Sequence, residues 1–147
     1  MSDTDFLIYT DGACLGNPGP GGWAALIFNK ENKKKVITGS EKVTTNNRME
    51  LMAIIYALKP LKENSTVKIY SDSKYVINGI NLWMKKWKEN NWLTSNKKPV
   101  KNIDLWKQLD NESKKFKISW EWVKGHSGNI YNEEVDRLAY NKASNLD

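Results

Sequence analysis

Short apolar runs broken by turn residues occupy the first third of the chain. Residues 5–12 (DFLIYTDG), 22–29 (GWAALIFN) and 34–43 (KKVITGSEKV) carry the β-branched and aromatic residues of strands, bounded by Gly, Pro, Asn and Lys. Their connections, a Gly/Pro stretch and the turn KENKKK (30–35), predict an antiparallel meander. From residue 44 the period changes. TTNNRMELMAIIYALKPL (44–61) repeats apolar residues at helical intervals behind Thr and Asn suited to capping, and Pro60 is expected to end the helix. A strand is expected over 66–73 (TVKIYSDS) and a helix with a break near Gly79 over 73–91. A basic irregular loop, a short helix from Asn102, a strand over 116–125 and a closing helix over 132–143 complete the pattern. These elements predict an α/β fold: a five-stranded mixed sheet, a meander of three antiparallel strands plus two parallel strands, flanked by helices. No repeat, linker or low-complexity tract interrupts the 147 residues, so one domain over 1–147 is expected.

Composition narrows the class. Seven Trp and a 39% hydrophobic fraction exclude a disordered chain, and apolar runs such as WAALIF are far shorter than the ~20 residues of a membrane span. Cys14 is the one cysteine and no charged-then-apolar leader opens the sequence, which predicts a reducing, cytoplasmic location. The net charge of +6 is unevenly placed. Residues 83–101 hold six Lys and one Glu, so +5 lies in that segment. Such a concentration suits a polyanionic partner.

Candidate chemistry lies in carboxylates where apolar residues are expected. Glu50 precedes Ile54 by four residues and Leu58 by eight, on their inward face, and Asp136 stands three and seven residues before Ala139 and Ala143. Asp11 and Asp72 each close an apolar strand, at the sheet end where open α/β sheets place ligands. Singly, each has an ordinary explanation: Asp forms turns and caps helices, and Glu answers a helix macrodipole. Together they are a set of hard oxygen ligands, suited to Mg²⁺ or Mn²⁺ and not to Zn²⁺.

The stretches YTDGACLGNPGPGGWAALI, TTNNRMELMAIIYAL, YSDSKYVINGI, KKPVKNIDLW and WEWVKGHSGNIYNEEVDRLAY closely resemble, in order and spacing, the bacterial type 1 ribonuclease H family. The resemblance implies a ribonuclease H-like fold and a sequence-independent endonuclease. Such an enzyme hydrolyses the RNA strand of an RNA–DNA hybrid with two Mg²⁺ ions, Mn²⁺ being an alternative. It further implies that Asp11, Glu50, Asp72 and Asp136 hold the metals and that His126 is the active-site histidine. Asp11 is then the bridging ligand, with Glu50 and Asp72 completing one site and Asp136 the other. His126 would serve proton transfer or product release. By similarity, Asn17, Asn46 and Asn47 contact the hybrid's minor groove, and Thr45 and Arg48 lie near a DNA phosphate. The segment at about 83–101 corresponds to a basic handle that grips the DNA strand, with Trp83, Lys85, Lys86, Trp87, Lys88, Lys97 and Lys98 as its substrate-facing residues. Helical spacing also allows Trp83 and Trp87 to pack the handle onto itself. A monomer with no obligatory protein partner and no membrane contact is expected.

The glycines after Asp11 do not form a phosphate cradle. A Walker loop needs Lys and Ser/Thr after its last glycine, where this chain has Trp23 and Ala24. They are expected instead to make a tight connection that leaves backbone open to a nucleic-acid strand. Two other functions compete: a catalytically silent nucleic-acid-binding module, and another carboxylate nuclease of the same superfamily. The first could discard the carboxylates; the second lacks a reason for the handle and for TTNNR.

Overall fold

The computed structural model describes residues 4–124 and 129–145. Three antiparallel strands, β1 (Phe6–Cys14), β2 (Gly19–Phe28) and β3 (Lys34–Thr44), are followed by helix α1 (Asn46–Leu58) and strand β4 (Thr66–Ser71). Then come α2 (Lys74–Asn78), a π-helical turn (Gly79–Trp83), α3 (Met84–Glu89), α4 (Ile103–Ser113), β5 (Lys117–Trp122) and α5 (Ile130–Ser144). The sheet order is β3-β2-β1-β4-β5; β4 runs parallel to both β1 and β5. The expected mixed sheet is present.

Both faces of the sheet are covered. Ile8, Ala25, Val67 and Ile69 pack with Leu51, Ile54, Leu58, Trp106 and Leu109 beneath α1 and α4. On the opposite face Tyr9, Ala24, Leu26 and Phe28 pack with Val135 and Ala139 of α5. This is the period-2 division of a strand between two cores.

Glycines set how closely the helices approach. A Cβ on Gly12 would lie 2.5 Å from the backbone nitrogen of Glu50 and 2.6 Å from the carbonyl carbon of Met49. A Cβ on Gly22 would lie 2.4 Å from the Ala139 carbonyl oxygen. These two glycines are therefore buried contact points beneath α1 and α5, and the expected open backbone is confined to the exposed connection between β1 and β2. The connection itself is only Leu15–Pro18, where Gly16 has φ +78°.

Two local expectations are revised. β1 continues past Asp11 to Cys14 because its ladder with β2 runs on through Asp11↔Ala24, so Asp11 does not end the strand. Its position at an edge comes from the parallel neighbour, whose last pair with β1 is Thr10↔Ser71. The helix over 73–91 has no break at Gly79; a π-helical turn carries it through. A Cβ on Gly79 would meet the Trp106 ring at 2.1 Å, so glycine there answers packing. The expected end of α1 holds: it stops at Leu58, with Lys59 as its cap, just before Pro60.

Gly12→Ala has no space to expand into, since the obstructing atoms are backbone. The substitution is expected to cost about 3 kcal/mol and to lower the melting temperature by roughly 6–12 °C. Thermal denaturation checks this; an unchanged midpoint would contradict the close approach.

Candidate active site

Four elements converge beside the end of β4. Asp11 projects from β1. Glu50 sits in the first turns of α1, started by Thr45, whose hydroxyl accepts from the Arg48 backbone N–H at 3.3 Å. Asp72 lies between Ser71, the last residue of β4, and Ser73, the N-cap of α2. Asp136 is carried by α5, whose N-cap Asn129 accepts from the N–H groups of Tyr131 and Asn132.

Asp11, Glu50 and Asp72 each offer a carboxylate oxygen within 4.8 Å of the others. Asp136 joins them in lining an open cleft of about 360 Å³, together with Asn46 and Asn47. Asp11 and Glu50 are only 3% and 6% exposed. The Gly12 N–H donates to Asp11 Oδ1 at 2.9 Å. Among the described residues, Glu50 Oε2 and Thr10 Oγ1 are the buried side-chain oxygens lacking a hydrogen-bond partner.

Carboxylates this close and this dry resist ionising together. Burial, then the Asp72 charge and the Asp136 contact, push Asp11 up to about 8 against the pull of Glu50 and the Gly12 N–H. Burial, followed by the neighbouring charge of Asp11, raises Glu50 well above the usual carboxylate range. An unpartnered carboxyl oxygen and a cluster of hard ligands are what a divalent cation would satisfy. The residues present therefore fit a metal site.

The remaining candidates fall into separate groups. Asn17 Oδ1 accepts from the Asn46 N–H at 2.8 Å, tying the β1–β2 connection to the start of α1. Asn46 and Asn47 thus line the carboxylate cleft, with Asn17 fastened to Asn46 beside it and Thr45 capping the helix that carries both. Arg48 is already engaged: Asp104 takes Nη1 and Nη2 at 3.0 and 2.7 Å, and Asn102 Oδ1 accepts from Nη1 at 3.3 Å. Sequence inspection had no signal for that partnership, which joins residues 56 apart. His126 lies outside the described residues.

In the handle, half-buried Trp83, Trp87 and Trp92 form a chain of tilted rings with centroids 5.8 and 6.3 Å apart, and Trp87 packs on Trp106 at 5.3 Å. Packing of the protrusion onto itself therefore accounts for much of the Trp83 and Trp87 surface. Lys85, Lys86, Lys97 and Lys98 are exposed. Lys88 differs from them, because its ammonium meets Asp110 at 2.8 Å and that carboxylate also receives Lys114 at 3.2 Å. A larger cleft, about 580 Å³, opens near Asp5, Lys30 and Lys62, but there Lys30 pairs with Asp5 at 3.2 Å and no carboxylate cluster forms.

The comparisons agree with this geometry. A family profile described as RNase H matches residues 3–144. A Ribonuclease H of Wolbachia pipientis wMel is 55% identical over 139 residues, covering 95% of both chains. A Ribonuclease H of Rickettsia typhi is 55% identical over 138 residues, 93% of this chain and 90% of the relative. Among solved structures, LC9-RNase H1, a type 1 RNase H with the type 2 active-site motif, superposes with a TM-score of 0.88 at 28% identity, covering all of this chain and 75% of the other. LC11-RNase H1, solved in complex with RNA/DNA hybrid, shares the fold at a TM-score of 0.72 and 20% identity, with 95% and 96% coverage.

The buried carboxylates set a pH dependence for the metal-free protein. With the Asp11 carboxyl raised from about 3.8 to about 8 on folding, the folded state holds a proton that the unfolded state has released. Stability from this group is fully present below about pH 4 and is lost as pH rises through about 8. Asp11→Asn removes that loss, so in chelator at pH 9 the variant is expected to melt above the parent, with the gap closing toward pH 4. A parallel pair of melting curves across pH would contradict it.

Proposed function

Because the chain belongs to the ribonuclease H family, a family of divalent-metal-dependent enzymes acting on RNA–DNA hybrids, we propose that its Asp11–Glu50–Asp72 cluster with Asp136 is a two-metal active site that cleaves the RNA strand internally, whatever the base sequence. The observation that carries this is the cluster of Asp11, Glu50 and Asp72, each offering a carboxylate oxygen within 4.8 Å of the others, with one buried Glu50 oxygen lacking a hydrogen-bond partner. Mg²⁺ is the ion proposed, with Mn²⁺ an alternative; bound divalent ions favour ionisation of the attacking water and neutralise charge building on the phosphoryl and leaving oxygens.

The protein's own groups do the rest. Asp11, Glu50, Asp72 and Asp136 hold four carboxylates at one place, three of them clustered before any ion arrives, so little reorganisation accompanies the reaction. Asn46 and Asn47 are neutral donors and acceptors lining this cleft, and Asn17 is tied to Asn46 beside it. There they are suited to minor-groove edges and to the 2′-hydroxyl that separates RNA from DNA. Thr45 and Arg48 are proposed to face a DNA phosphate. His126, which titrates near neutrality when unperturbed, is assigned to proton transfer or product release. The exposed lysines of the handle attract phosphates without reading bases, which accounts for sequence independence. A monomeric, cytoplasmic enzyme is the simplest form consistent with these roles; no helix among the described residues is long and apolar enough to cross a membrane.

End-labelled RNA–DNA hybrid, double-stranded RNA and double-stranded DNA, each with and without Mg²⁺, test the proposal. Internal cuts are expected in the hybrid's RNA strand alone and only with the ion. Cleavage in chelator would overturn metal dependence, and equal cutting of double-stranded RNA would overturn hybrid specificity.

The lysines divide into two classes. Replacing Lys85, Lys86, Lys97 and Lys98 with Ala is expected to raise KM with little change in kcat. It should also make the slope of log affinity against log salt shallower by up to about 0.9 per lost contact. Lys88→Ala is expected to leave that slope in place and to cost under about 1 kcal/mol of stability through the lost Asp110 pairing. Hybrid binding in Ca²⁺ over a salt series, with denaturation of each variant, separates the two.

A further inference from the structure

Beyond its four carboxylates, the site depends on how the Asp72 backbone is held where regular pairing stops. The last pair between β4 and β5 is Ser71↔Trp122. Ser71 is fastened on two sides: its carbonyl accepts from the Val123 N–H at 2.9 Å, and its hydroxyl accepts from the Ser73 N–H at 3.1 Å. Ser73 in turn caps α2 by accepting from the Val76 N–H at 3.3 Å. Between these anchors, the Asp72 carbonyl oxygen accepts a hydrogen bond from the Trp122 indole Nε1 at 3.3 Å. The ammonium of Lys74 lies 5.2 Å from the centre of the same indole.

Core filling does not explain a tryptophan here. Trp122 is 42% exposed on an edge strand, where a smaller or more polar residue would serve. The two contacts it makes use features that an aliphatic side chain lacks: a directional N–H donor and a π face for a cation. Both bear on residues 72 and 74, either side of the α2 N-cap.

We propose that Trp122 is a positioning residue for Asp72: its indole N–H fixes the peptide that follows Asp72 and so aims the carboxylate at Asp11 and Glu50. The indole acts through Asp72 and touches no reacting atom. This rests on the metal-site assignment made above. Groups that orient ligands from behind commonly change metal affinity or activity by about 10–100-fold when removed. A 3.3 Å bond to a main-chain oxygen belongs at the lower end of that range.

Two variants separate the donor from the ring. Trp122→Phe keeps a smaller aromatic face for Lys74 and removes the N–H with its five-membered ring; Trp122→Ala removes donor and ring together. Mn²⁺ binding to the substrate-free protein is measured by calorimetry, kcat and KM for the hybrid at saturating Mg²⁺, and melting temperature in chelator. For Trp122→Phe we expect Mn²⁺ affinity about 10-fold weaker, a lower kcat, an unchanged KM and an unchanged metal-free melting temperature. Wild-type Mn²⁺ affinity in Trp122→Phe overturns the proposal; if Trp122→Ala then raises KM, the ring contacts nucleic acid instead. Loss of Mn²⁺ affinity together with a lowered metal-free melting temperature also overturns it, making the indole a brace for the strand end. Wild-type protein that binds Mn²⁺ but cuts no hybrid would sink the nuclease assignment alone, since the titration needs no substrate and still decides the role of Trp122.

Discussion

The carboxylate cleft depends on one steric constraint, the approach of β1 to the first turns of α1 at Gly12. With the Met49 carbonyl carbon and Glu50 nitrogen within 2.6 Å of where a Cβ would stand, no other residue lets the two backbones meet. That approach brings a strand carboxylate and a helix carboxylate into one cluster. It also buries both, because the contact that brings them together excludes water. Gly22 does the same for α5 on the other face, which is how Asp136 reaches the cleft.

Burial of like charges has a cost that the protein carries until a cation arrives. Asp11 and Glu50 are held in a region that disfavours their ionised forms, and Glu50 Oε2 has no protein donor. Filling the site with hydrogen-bond donors would have stabilised the fold, but it would also have occupied the lone pairs a metal needs. The cleft is therefore a place where stability and ligand capacity oppose each other.

Around this centre the basic segment is built as a rigid arm. Its tryptophans pack on one another around Trp87, which meets Trp106 edge-on, with Gly79 admitting that ring to the π-helical turn, while Lys85, Lys86, Lys97 and Lys98 stay in water. Lys88 and Arg48 are tied to Asp110 and Asp104. Part of the positive charge counted along the chain is thus spent internally at the arm's base and at the start of α1, leaving a patterned surface in place of a uniformly basic one.

Element types, sheet composition and the four acidic residues that the fold brings to one cleft were legible in the linear order of residues, since apolar periodicity and acidic residues at inward positions are local properties. Periodicity made the helix over 44–61 legible, and Thr45 with its following Asn residues marked its start. Tertiary structure alone decided the rest. Asp11 became an edge residue because β4 stops beside it, not because β1 ends, and strand partners are invisible to local pattern. Gly12 and Gly22 turned out to be contact points for two helices that lie far away in sequence. The pairing of Lys88 with Asp110, of Arg48 with Asp104 and of the Trp122 indole with Asp72 joins residues 22, 56 and 50 positions apart. Local spacing reports which face a side chain takes; it cannot report what that face meets, because long-range contacts exist only once the chain has closed on itself.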